Sequence, residues 1–170
     1  MLQSQNINAS FFNKLKKIQL IIFDVDGILT DGRLYYGADG ECMKVFHAKD
    51  GYGIRGAKAH GYQLAIITAR ESLFVQKRAE DLGIEHVFQN AKDKKPAFEK
   101  LCQDLKLDYE QVAYMGDDVL DLPVIDLVGF AACPADAWPT VKSHCDWVSC
   151  YKGGHGAARE FCDLIVQSKL

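Results

Sequence analysis

The sequence predicts an α/β domain of the doubly wound kind, a mostly parallel sheet covered by helices on both faces. Three observations carry this. Short apolar runs alternate with stretches of helical spacing. The runs are apolar throughout, as strands buried on both faces require. Acidic and hydroxyl residues follow the runs, where such sheets place their ligands beyond the carboxyl ends of the strands.

Residues 19–23 (Gln-Leu-Ile-Ile-Phe) read as the first buried strand, and 63–67, 111–115 and 128–132 as three more. Helical spacing runs over 53–60, 71–82 and 94–105. Asp93 is placed to cap the last of these, and Pro96 fits its first turn. One segment breaks the alternation. Residues 33–36 and 41–46 flank the turn-forming Gly37-Ala-Asp-Gly40 and read as a β-hairpin. A two-stranded hairpin is marginal alone in water, so Tyr35, Tyr36, Met43 and Phe46 need cover, from their own domain or from another subunit.

The 170 residues, 48% hydrophobic and 25% charged, suit one domain with a real core. The expectation is a single domain over 1–170, with the hairpin at 33–46 and a C-terminal tail at 151–170. Twenty Lys and Arg against 23 Asp and Glu leave a net charge of −3, no basic excess for nucleic acid. No apolar run reaches the ~18 residues that span a bilayer, and residues 1–10 lack the pattern of a secretory leader. The expected setting is cytoplasmic, with the six scattered cysteines as free thiols.

The chemistry lies after the strands. Asp24-Val-Asp26 follows the first run, Thr68-Ala-Arg70 the second and Gly116-Asp117-Asp118 the third, while Lys94 opens a helix. Each alone is an ordinary turn or strand end. Together they bring carboxylates, a hydroxyl, a lysine and an arginine to one rim. Crowded acids resist ionising unless a cation sits among them, and an all-oxygen set selects a hard ion such as Mg²⁺. This set suits phosphoryl transfer. One aspartate attacks phosphorus, a second acid moves protons, and lysine and cation neutralise the transferring group.

These motifs resemble the haloacid dehalogenase superfamily of phosphatases, with Asp121 completing the last of them. The resemblance implies Asp24 as nucleophile and metal ligand. It implies Asp26 as general acid and base, binding metal through its carbonyl, Asp117 as a further ligand and Asp118 in support. Thr68 and Lys94 would hold the phosphoryl oxygens. Over roughly residues 19–170 the chain resembles one subfamily, the 3-deoxy-D-manno-octulosonate 8-phosphate phosphatases, through Asp24 to Gly32, His47 to Arg55, Gly116 to Pro123 and Gly153 to Glu160. That implies a sugar acid phosphate substrate contacted by Asp26, His47, Ala48, Lys49, Asp50, Gly51, Arg55, Arg70, Arg78 and Lys94. It also implies a homotetramer in which hairpin and tail help close the site. Ala69, Ala48-Lys49 and His155 depart from the subfamily's usual residues, which touches substrate preference rather than the reaction.

Three other readings compete. Gly51, Gly53 and Gly56 spell the G-x-G-x-x-G of a nicotinamide-dependent oxidoreductase. A phosphorylatable receiver module also uses Mg²⁺, clustered Asp, Thr and Lys, though in another order. A phosphatase for a nine-carbon sugar acid phosphate is the nearest alternative. Gly153, Gly154 and Gly156 allow close backbone approach or simple mobility, and the favoured reading is a mobile segment that orders over the site, with His155 a loop residue.

Overall fold

The computed structural model describes residues 9–169. Helix α1 (Ala9–Lys17) leads into strand β1 (Leu20–Phe23). The chain then leaves the sheet for the antiparallel hairpin β2 (Tyr35–Gly37) and β3 (Gly40–Met43). It returns through α2 (Ala48–Ala59) to β4 (Gln63–Ile67), then α3 (Leu73–Leu82) and β5 (His86–Phe88). Helix α4 (Lys95–Leu105) precedes β6 (Val112–Met115), α5 (Leu122–Ile125) and β7 (Phe130–Cys133). Helix α6 (Pro139–His144), β8 (Trp147–Val148) and α7 (Ala157–Gln167) complete it.

The main sheet is parallel, in the order β5-β4-β1-β6-β7-β8. From β1 the chain fills one side and then crosses to the other. The crevice between the carboxyl ends of β1 and β6 is therefore the topological switch point. Phe23 stands in register with Met115, and Asp24 N donates to Met115 O at 3.1 Å. The residues that follow these two strands thus emerge side by side.

Side chains alternate along each strand and feed two cores. Ile21 and Phe23 pack with Leu15, Ile54, Phe161 and Ile165 on one face. Leu20 and Ile22 pack with Phe98, Leu101, Val124 and Val141 on the other. Each such aliphatic side chain contributes roughly 1.5–3 kcal/mol by its burial.

Several expectations shift. Helix α2 begins earlier than the spacing suggested, because His47 Nδ1 accepts from Lys49 N at 3.2 Å and caps it. Lys94 is the cap residue of α4, yet Asp93 supplies the bond, accepting from Lys95 N at 3.2 Å. The hairpin strands are shorter than 33–36 and 41–46. Phe46 packs against the core beneath Arg78, while Tyr36 and Met43 remain exposed.

The 151–170 stretch holds α7, whose Ala157, Ala158, Phe161, Cys162 and Ile165 are buried. Of its glycines, Gly153 and Gly154 pack closely on the backbone of residues 27–31. Gly154 N donates to Ile28 O at 2.9 Å, and a Cβ at Gly153 would lie 1.7 Å from Gly27 O. Glycine serves here for backbone approach, not for freedom. Among the described residues no helix is long and apolar enough to cross a membrane. All six cysteines are unpaired.

Candidate active site

At the switch point Asp24 is 8% exposed, with its Oδ1 3.0 Å from Lys94 Nζ. Burial pushes its carboxyl up to about 6, against the pull of Lys94. Asp117, from the end of β6, is pushed higher, to about 8, by burial and then by Asp24 and Asp121. Gly27 lets it come so close. A Cβ there would stand 2.0 Å from Asp117 Oδ2, and its φ of +86° already favours glycine.

Asp121 organises the floor. Its Oδ1 accepts from Tyr114 OH at 2.5 Å and from Lys94 Nζ at 2.6 Å. Its Oδ2 accepts from Asp117 N at 2.9 Å and Asp118 N at 3.1 Å. Four donors therefore hold one buried carboxylate, which in turn fixes Lys94 and the 116–118 turn. Asp121 stood in the sequence motif without a role. Its position four residues after Asp117 was the available signal, and Tyr114 gave none.

The other expected residues divide. Thr68 is buried and lines the same pocket of about 290 Å³ as Asp24, Asp26, Arg70, Lys94, Asp117 and Asp118. The Asp118 side chain is turned to its own chain, accepting from Val119 N at 2.7 Å, so its support reaches the cluster through its backbone. Asp26 Oδ1 meets Lys44 Nζ of the hairpin segment at 2.5 Å. Arg70 Nη2 donates to Tyr36 OH at 3.0 Å and to Glu41 Oε1 at 3.3 Å, with its Nε 3.8 Å from Asp26 Oδ2.

The remaining expected substrate contacts lie outside this pocket. His47 and Lys49 line a larger cleft of about 600 Å³ with His155, Arg159 and the outer side of α7. Asp50 is buried, raised by desolvation, and accepts from Arg159 N at 2.9 Å and Gly156 N at 3.3 Å, so it anchors the start of α7. Ala48 is exposed at the start of α2. Arg55 donates to Asp81 O at 3.1 Å. Arg78 donates to His47 O at 3.3 Å, and burial lowers its guanidinium.

Gly51 and Gly53 sit inside α2, where a Cβ would strike Arg78 and Arg159. They serve helix packing, which removes the dinucleotide-fingerprint reading.

The acids gather against little positive charge. One carboxylate oxygen from each of Asp24, Asp117 and Asp121 lies within 4.8 Å of the others, and Lys94 is shared between two of them. The clustered oxygen donors fit a hard divalent ion, which would relieve the repulsion among the acids. With Asp121 saturated by its four donors, Asp24 and Asp117 are the carboxylates free to hold one.

A model of the haloacid dehalogenase-like hydrolases matches residues 53–129. The chain is 43% identical to the 3-deoxy-D-manno-octulosonate 8-phosphate phosphatase KdsC of Escherichia coli K12 over 96% of its own length and 88% of the relative's. The chain belongs to the haloacid dehalogenase-like hydrolases. Solved hydrolases of this family share the fold closely. The 3-deoxy-D-manno-octulosonate 8-phosphate phosphatase from Yersinia pestis superposes with a TM-score of 0.92 at 42% identity, over 95% of this chain and 87% of that one. The enzyme of that name from Moraxella catarrhalis, in complex with magnesium, phosphate and KDO, gives 0.90 at 38% identity, over 93% and 91%.

Proposed function

We propose that this hydrolase is a Mg²⁺-dependent phosphatase that converts 3-deoxy-D-manno-octulosonate 8-phosphate to the free sugar acid and phosphate, a step of lipopolysaccharide biosynthesis. The observation that carries the reaction is the buried Asp24, paired with Lys94 and facing Asp117 across adjacent strands. The substrate follows from the relatives, whose names specify it and which this chain matches nearly end to end.

In this reading an Asp24 carboxylate oxygen attacks phosphorus, the ester P–O bond breaks, and an aspartyl-phosphate forms. Asp26 gives a proton to the departing sugar oxygen, then takes one from the water that hydrolyses the intermediate. Lys94 and Thr68 hold the phosphoryl oxygens, and Lys94 is kept aimed by Asp121. Asp24, Asp117 and the Asp26 carbonyl would hold Mg²⁺, which supplies charge neutralisation for the transferring group. Arg70, at the pocket edge, suits the substrate's carboxylate, since guanidinium binds carboxylates in a fork.

The proposal extends to a cytoplasmic homotetramer. Its support is the division of the expected contacts. His47, Lys49, Arg55 and Arg78 lie outside the catalytic pocket, and the hairpin leaves Tyr36 and Met43 exposed. A neighbouring subunit is the means by which a second surface reaches the first. Phosphate release across a panel of sugar phosphates, with Mg²⁺ and with EDTA, tests the reaction. Release of phosphate in the presence of chelator refutes it. Light scattering after gel filtration tests the tetramer, and a monomer refutes that part.

A further inference from the structure

We propose that Lys44 is a positioning residue for the Asp26 carboxyl, tying the hairpin to the proton-transfer step. The inference rests on the phosphatase reading above. Lys44 follows β3, and its side chain is only 2% exposed. Its Nζ lies 2.5 Å from Asp26 Oδ1 and 3.0 Å from Glu41 Oε1. Glu41 is held in turn, its Oε2 accepting from Ser72 Oγ at 2.8 Å and its Oε1 from Arg70 Nη2 at 3.3 Å.

A lysine drawn so far out of water is stable only when its ammonium is paired. Here the pairing spans two elements. Glu41 is braced by Ser72 at the start of α3 and steers Lys44 onto one particular oxygen of Asp26. That leaves Oδ2, 3.8 Å from Arg70 Nε and so beyond a hydrogen bond, as the oxygen open to the leaving group. As Asp24 bonds to phosphorus, the bridging ester oxygen leaves with its electron pair and takes the proton from Asp26. Asp26 ends as a carboxylate facing the Lys44 ammonium.

A lysine acting only as a latch for the hairpin would slow every substrate alike when removed. A positioning lysine affects substrates according to how much their leaving group needs a proton. The measure is kcat/KM, which covers steps only through departure of the leaving group and is blind to hydrolysis of the intermediate. The sugar phosphate releases an alkoxide that must be protonated; p-nitrophenyl phosphate releases a stable phenolate. Lys44→Met keeps the apolar stem. It should lower kcat/KM for the sugar phosphate about 10- to 100-fold, part of what general acid catalysis supplies, and change the p-nitrophenyl phosphate value less than about 3-fold. Lys44→Arg restores a cation and should bring the ratio back towards wild type.

An equal fall on both substrates overturns the proposal, as does an Arg variant no better than Met. Should Lys44→Met fail to fold, Glu41→Gln takes its place. That variant unseats Lys44 while sparing Asp26. Because Glu41 also holds Arg70, its readout is an alkyl phosphate without a carboxylate against p-nitrophenyl phosphate; that ratio should fall, and an unchanged ratio overturns the proposal. A wild-type protein inactive on both substrates would instead remove the phosphatase reading itself, and this inference with it.

Discussion

Asp117→Asn should make the metal-free protein more stable at pH 8, at the expense of its metal site. The Asp117 carboxyl is raised from 3.8 to about 8 in the folded chain, first by burial and then by Asp24. A carboxyl raised on folding adds stability below its unfolded value and loses it as pH climbs through its folded value. The window here runs from about pH 4 to pH 8. One such proton is worth about 1.4 kcal/mol per pH unit, a ceiling of roughly 6 kcal/mol. Partial solvent access at the pocket reduces that to about 2–3 kcal/mol. For a chain of this length it corresponds to about 5–10 °C in Tm. Thermal unfolding in EDTA between pH 5 and pH 8 measures it. Wild type should lose about that much across the range, and Asp117→Asn should hold most of it. Mg²⁺ should restore wild type at pH 8 and do far less for the variant. Parallel pH profiles, or equal stabilisation by Mg²⁺, would refute the crowded-acid reasoning.

Asp24→Asn should abolish turnover while leaving the melting curve cooperative; substantial phosphate release by the folded variant would remove Asp24 as nucleophile. Arg70→Ala should lower kcat/KM for the sugar acid phosphate by at least about 10-fold more than for p-nitrophenyl phosphate, the scale of a lost bidentate pair. Equal losses would show that Arg70 does not read the sugar carboxylate. Gly153→Ala forces a methyl to within 1.7 Å of Gly27 O. Such overpacking typically costs about 1–3 kcal/mol, seen as a Tm lowered by about 2–10 °C. An unchanged Tm would mean that the two loops part freely.

The strands that carry the chemistry were the legible part of the fold. β1, β4, β6 and β7 are fully covered or nearly so, and deep burial on both faces leaves an apolar run that cannot be missed. β5 and β8 are short, so their few residues make no pattern. The clustering of Asp24 and Asp117 was legible for the same reason as the strands, since a parallel sheet delivers whatever follows each strand to one rim. Asp121 was visible in its motif, but the saturation of its carboxylate depends on Tyr114, which reads simply as a core aromatic. Helix α7 was obscured by the glycines before it. Composition shows that glycine is present and cannot tell a hinge from a backbone pressed against another backbone. Lys44 was invisible because a lysine in a hairpin ordinarily points to water, and only the fold sets Asp26 and Glu41 around it.

The contact of Gly153 and Gly154 with residues 27–31 has a consequence for how the enzyme is made. Asp24, the proposed nucleophile, is translated early, and the backbone that packs against the loop after it comes near the end. On the ribosome, Asp24 can join its strand long before that backbone emerges from the exit tunnel. Under the proposed mechanism, chains released before Gly153 would carry Asp24 without the backbone that packs on residues 27–31.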